Sequence, residues 1–134
     1  KIVAENVIKQ FFYLEDKDHP EERPQSIHWR ELAERNKLKK KELKLGLRWL
    51  KKQSFLTQRG DFYTLSHSGW DYSKSLVRRH RLWELYLTHE LNLEADHVHQ
   101  DAELAEHFID THLEERLRNR LNYPTTDPHN KQIP

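Results

Sequence analysis

The chain has 134 residues, 34% charged and 35% hydrophobic, which is enough for one ordinary domain or two very small ones and too little apolar material for a large core. It has no Cys, which excludes disulfide scaffolds, zinc knuckles and cysteine nucleophiles, and it has 10 His. Lys+Arg total 23 against 22 Asp+Glu, a formal net charge of +1 that argues against a plain polyanion binder until charge is mapped along the chain.

With 3 Gly and 5 Pro, turn signals are sparse, which favours long helices. Ile2–Leu14 spaces Val3, Val7, Ile8, Phe11, Phe12 and Leu14 at three- and four-residue intervals and reads as an amphipathic helix. Asp16–Pro24 is polar and proline-bounded, hence a loop. Ser26 is placed to N-cap a helix over His28–Arg35, with Ile27, Leu32 and Ala33 facing a core. Asn36-Lys37 makes a turn, and Leu38–Lys52 follows as a helix with Leu43, Leu47 and Leu50 in one stripe. Phe55-Leu56-Thr57 and Phe62-Tyr63-Thr64-Leu65 flank Gln58-Arg59-Gly60-Asp61, the pattern of a hairpin. Helix, short turn, helix, hairpin is the order of a winged helix-turn-helix. A further helix starts at Ser68 or Asp71 and runs through Leu76, Leu82, Trp83 and Leu87 to about His89. Leu91-Asn92-Leu93-Glu94 breaks it. A last long helix is expected over roughly Asp101–Leu121, with Pro124 and Pro128 ending regular structure. Trp29, Trp49, Trp70 and Trp83 fall at helical positions where core packing is expected, and His19, His67 and His129 fall in loops and receive no role.

Charge is segregated. From Lys37 to Lys52 the chain carries Lys37, Lys39, Lys40, Lys41, Lys44, Arg48, Lys51 and Lys52 against the single acid Glu42. On the second helix of a helix-turn-helix, with Arg59 in the hairpin behind it, such a face suits DNA phosphates. It offers few side chains for base edges. From Glu94 to Glu115 the chain carries Glu94, Asp96, Asp101, Glu103, Glu106, Asp110, Glu114 and Glu115 with no Lys or Arg, together with His97, His99, His107 and His112. On a continuous helix His99, Glu103, Glu106 and His107 share one face, where close carboxylates repel unless a cation sits between them. Carboxylates and imidazoles without thiolate suit Mn²⁺ or Fe²⁺, and less selectively Zn²⁺ or Co²⁺. His80 and Glu84 form a second such pair at i, i+4. The chain has no HExxH, GxSxG or glycine-rich phosphate loop, so it is not expected to be an enzyme. No apolar run approaches the about 20 residues of a membrane span, and the absence of Met even at position 1 reads as a true start upstream of Lys1.

The segments LVRRHRLWELYL, HVHQDAELAEH and YPTTDPHNKQIP together resemble the diphtheria toxin repressor and manganese transport regulator family of metal-activated winged-helix repressors. The resemblance covers nearly the whole chain. It implies a mainly α fold, with an N-terminal winged helix-turn-helix over residues 1–73 and an α-helical metal-binding and dimerisation domain over residues 74–134. It implies that His80, Glu84 and His99 match an ancillary metal site and Glu103, Glu106 and His107 the primary one, with Glu103 pointing toward manganese over iron. The family's ligand from the first helix falls on Asn6, a weaker donor than the Asp or Met of the family, and Lys9 stands where the manganese branch has a carboxylate. A homodimer that binds an operator through Lys39, Lys40, Lys41, Lys44, Arg48 and Arg59 in the cytoplasm follows from the resemblance. Lysines in place of the family's small hydroxyl residues leave operator selectivity open. Some metal-importing ABC transporters are similar to a permease carrying such a domain at its cytoplasmic C-terminus, so a membrane permease portion of the same polypeptide is the alternative setting.

Overall fold

In the computed structural model, backbone is described for residues 1–18, 26–90, 102 and 106–134, and side chains for all of these except 14–18, 90 and 108. Helix α1 spans Ile2–Asp18 and buries Ala4, Val7, Ile8, Phe11 and Phe12. It runs past the loop start expected at Asp16, because Glu15, Asp16 and Lys17 tolerate helix and Pro20 is the first residue that cannot continue one.

Strand β1 (Ile27–His28) leads into α2 (Trp29–Asn36). The cap of α2 is His28, whose Nδ1 accepts the Arg30 N–H at 3.1 Å, and not Ser26 as the sequence suggests. The reason is tertiary: Ile27 and His28 pair with Tyr63 and Phe62, and Ser26 Oγ lies 2.8 Å from Thr64 Oγ1, so Ser26 belongs to the sheet edge. Helix α2 ends where Lys37 turns left-handed at φ 53°, its N–H reaching Ala33 and Glu34 carbonyls. Helix α3 (Lys40–Lys52) follows, burying Leu43, Leu47 and Leu50. Gly46 meets α1: a Cβ there would lie 3.3 Å from Val3 Cγ1 and 3.5 Å from the Ala4 backbone, so the missing side chain sets how closely the helices approach.

Strands β2 (Leu56–Arg59) and β3 (Phe62–Leu65) form the expected hairpin, in register Leu56 with Leu65 and Arg59 with Phe62, and β1 adds to its other edge in the order β1-β3-β2. The chain is thus mainly helical with one small sheet. Helix α4 spans His67–Glu90, starting just before the residues expected. Its first turns are held by Trp70 stacked on Phe12 at 5.6 Å, Tyr72 stacked on Phe55 at 4.5 Å, and the Tyr72 hydroxyl donating to Glu5 Oε2 at 2.7 Å. The four tryptophans are all half-buried, so none is the core anchor that its spacing implies.

By internal contacts the chain divides into two units, Lys1–Lys74 and Ser75–Pro134. In the second unit, the continuous helix expected over Asp101–Leu121 is not formed. Glu106–Phe108 is a single 3₁₀ turn, and Asp110, in extended conformation, starts a new helix α5 (Thr111–Arg120) by accepting the Leu113 N–H at 2.8 Å. Asp is a strong N-cap and a poor interior helix residue, and that preference outweighs the helical spacing on either side. After α5 the tail folds into a loop closed by the Thr126–Gln132 bridge, and Arg78 Nε donates to Pro134 O at 2.6 Å while Arg81 donates to Gln132 O. The expected break at residues 91–94 lies outside the described residues. Among the described residues no helix is long and apolar enough to cross a membrane.

Candidate functional site

Helix α4 carries His80 and Glu84 one turn apart, and their side chains are buried. His80 Nε2 lies 2.6 Å from Glu84 Oε1, and its Nδ1 lies 3.0 Å from Glu106 Oε2, so one imidazole sits between two buried carboxylates. His107 Nε2 follows at 3.4 Å from Glu106 Oε1. Burial lowers the pKa of His80, and the hydrogen bonds its ring N–H groups donate to Glu106 and Glu84, together with the carboxylate charges, more than offset it, leaving the group above its ordinary 6.5. The cationic imidazolium is thus the form that suits this pocket without metal.

The tail loop delivers two further ligand-type groups. Asp127 Oδ1 accepts the N–H groups of His129 and Lys131 at 2.9 and 2.8 Å, which shapes the loop, and Arg81 Nε stands 3.9 Å from Asp127 Oδ2. His129 Nδ1 lies 3.4 Å from Glu84 Oε2. Ligand atoms of Glu84, Asp127 and His129 all lie within 4.8 Å of one another, close enough for a single ion to touch all three. Sequence reasoning gave His129 no role and did not name Asp127, although both lie in the segment YPTTDPHNKQIP that contributes to the family resemblance, with an Asp and a His two residues apart.

Of the residues expected to bind metal, the structure brings together His80, Glu84, Glu106 and His107. His99 and Glu103 lie outside the described residues. Asn6 is half-buried on α1, in the Lys1–Lys74 unit, with Glu5 and Lys9 on the same helix both buried. Glu106 and His107 sit on a 3₁₀ turn, so the continuous helical stripe predicted for them does not exist at that end.

The residues expected to bind DNA form a different surface. Lys39, Lys40, Lys41, Lys44 and Arg48 are exposed along α3, and Arg59 is exposed at the end of β2. Lys40 Nζ rests 4.5 Å from the Trp29 ring centroid, and with Lys44, Gln58 and Asp61 it borders a cleft of about 220 Å³ where α2, α3 and the hairpin meet.

Residues 66–134, half of the chain, match the metal binding and dimerisation domain of the iron dependent repressors. The chain belongs to this family. Within it, the chain is 36% identical over 70 residues to the iron-dependent repressor IdeR of Mycobacterium tuberculosis, covering 52% of this chain and 30% of that protein. It is 39% identical over 72 residues to a probable metal transport system membrane protein of Chlamydia trachomatis, covering 54% of this chain and 16% of that one. The chain therefore spans less than a third of these curated relatives. Among solved structures, the manganese regulator SloR aligns over 98% of this chain and 59% of its own at 30% identity and a TM-score of 0.80. A manganese-dependent transcriptional repressor in complex with manganese aligns equally well, at 31% identity and a TM-score of 0.80 over 98% of this chain and 58% of its own.

In metal-free protein the raised His80 pKa has a definite sign. The folded state holds the proton more tightly than the unfolded chain, so the stabilisation is fully present below the ordinary 6.5 and is lost as pH rises through the folded value. In chelator, the melting temperature is expected to fall as pH rises above the ordinary 6.5 and through the raised folded value, and His80→Gln to flatten that decline. A melting temperature that climbs as pH rises above 6.5 would count against the bridged imidazolium.

Proposed function

We propose that this chain is the metal-sensing and DNA-binding part of a metal-dependent transcriptional regulator, working as a cytoplasmic homodimer. The observation that carries the reading is the meeting of His80, Glu84, Glu106, Asp127 and His129 within the segment that matches the family's metal-binding domain. Carboxylate oxygens and imidazole nitrogens without sulfur fit Mn²⁺ or Fe²⁺, and also Zn²⁺ or Co²⁺. Glu84, Asp127 and His129 would hold one ion. Glu106 and His107, with Glu103 contributed as the family resemblance implies, would hold the other, and the same resemblance assigns His99 to the first ion beside His80 and Glu84. A bound ion supplies positive charge that replaces the His80 proton as counter-charge to the carboxylates, so metal affinity rises with pH.

Lys1–Lys74 serves in this reading as a winged helix-turn-helix, with α2 and α3 as the two helices, β2-β3 as the wing, and α3 presented to the major groove. Metal acts on it only through a difference in affinity between DNA-competent and incompetent states. Binding to a labelled duplex should therefore be at least about tenfold tighter in Mn²⁺ than in EDTA, a coupling of about 1.4 kcal/mol. Equal affinity in the two conditions would refute metal-activated DNA binding.

The similarity to the chlamydial metal transport system membrane protein favours one further setting, in which the same unit reports metal occupancy to a permease portion of its own polypeptide. That setting retains the metal response of the Ser75–Pro134 unit and shows no duplex binding in either condition.

A further inference from the structure

The cleft where α2, α3 and the hairpin meet holds polar groups that the fold does not use. Its lining includes the Trp29 ring, with Lys40 Nζ 4.5 Å from the ring centroid, and the buried side chains of Leu43 and Leu47. Tyr63 of β3 lines the same cleft and is only 8% exposed, yet its hydroxyl has no hydrogen-bond partner among the described residues. Buried tyrosine hydroxyls ordinarily find a partner, because an unmet donor forfeits its hydration. Burial, and after it the charge of Asp61, push this phenol above its ordinary 10.0, so it stays a donor. What meets it is whatever fills the cleft.

Three further groups here keep unused capacity. Lys40 and Lys44, one turn apart on α3 and both exposed, have no carboxylate partner among the described residues. Gln58 accepts from Lys51 Nζ at 2.5 Å and donates to Gly60 O at 2.8 Å, which leaves one amide N–H and one carbonyl lone pair open. The single acid, Asp61, has a side chain 70% exposed and stands 3.9 Å from His28 Nε2, so water and salt screen its charge. Two ammoniums against one screened carboxylate favour an anion. Volume sets its size, at about 220 Å³. A cavity of about 150 Å³ accepts one benzene ring, whereas drug-sized ligands occupy about 300–1,000 Å³. One aromatic ring bearing one carboxylate falls between these limits, and a nucleotide exceeds them.

We propose that this cleft binds a small monocyclic aromatic carboxylate, with its ring against Trp29, its charge met by Lys40 and Lys44, and one of its oxygens accepting the Tyr63 hydroxyl. On the DNA-binding reading above, the same two lysines face the duplex, so ligand and DNA compete for them. The cleft then adds a small-molecule input beside metal.

The test uses the whole chain, with benzoate and 2-hydroxybenzoate as probes and benzyl alcohol and acetate as controls, read by isothermal titration and by ¹H–¹⁵N spectra. Saturable binding of the two probes with a dissociation constant on the order of 100 μM is expected, with shifts at the Trp29 indole N–H and the Gln58 amide. Benzyl alcohol, which lacks the charge, and acetate, which lacks the ring, should bind at least about tenfold more weakly. Tyr63→Phe is expected to keep the melting temperature, because the hydroxyl it removes has no protein partner, and to weaken 2-hydroxybenzoate by about tenfold. Lys44→Ala should weaken it to a similar degree, and Lys52→Ala, exposed at the far end of α3, should not. Acetate binding as tightly as benzoate, or full affinity in both Tyr63→Phe and Lys44→Ala, overturns the site. At ten times its dissociation constant and constant ionic strength, 2-hydroxybenzoate should weaken binding to a labelled duplex by about tenfold, and an unchanged duplex affinity overturns the competition. A chain that binds the probes but no duplex loses the DNA-binding reading while the ligand site stands.

Discussion

Saturating Mn²⁺ is expected to raise the melting temperature of this chain by on the order of 10 °C. An ion that binds the folded state alone contributes about 2.7 kcal/mol at a hundred times its dissociation constant. For a protein of this size each kcal/mol moves the transition by about 4 °C. The ligand atoms come from α4 and from a tail loop far along the chain, so the unfolded chain has no matching site and the linkage runs nearly at full strength. Asp127→Asn with His129→Ala is expected to remove most of the rise contributed by the Glu84 site. The asparagine keeps a carbonyl able to accept the His129 and Lys131 N–H groups, so the loop survives while the charge is lost. Glu103→Ala with His107→Ala tests the other ligand set separately. Differential scanning calorimetry in Mn²⁺ and in EDTA reads all of these, and a melting curve that does not move at millimolar Mn²⁺ would sink the sensor reading.

His80→Leu is expected to cost about 3–5 kcal/mol in chelator, the range for removing one partner from a buried ionic cluster. Leucine fills a similar volume, so the loss is electrostatic: Glu84 and Glu106, both buried, lose the imidazole that bridges them. His80→Gln keeps a donor toward one carboxylate and should lose less. Urea unfolding at fixed pH measures both. A cost below about 1 kcal/mol for the leucine variant would show that the two carboxylates take up protons readily and that the imidazole is not what holds them.

The sequence was most legible where local pattern and tertiary demand agree. Leu43, Leu47 and Leu50 repeat at helical spacing and are buried in α3; the aromatic and β-branched runs around Gly60 pair as β2 and β3. It misled where two local signals compete. Ser26 is the better cap by residue type, and the pairing of Ile27 and His28 with β3 passes that role to His28. Helical spacing runs unbroken through Glu103, Glu106 and His107, yet Asp110 captures the Leu113 N–H and begins a new helix.

By itself, the sequence determined the mainly helical class, the opposite charges of the Lys37–Lys52 and Glu94–Glu115 segments, and the donor types that His80, Glu84, Glu106 and His107 present, because periodicity, charge and donor type are local properties of a chain. Only the tertiary structure decided that Asp127 and His129 join Glu84. They are far from it in sequence, no periodicity connects them, and they meet because Arg78 and Arg81 hold the carbonyls of Pro134 and Gln132 and fold the tail loop onto α4.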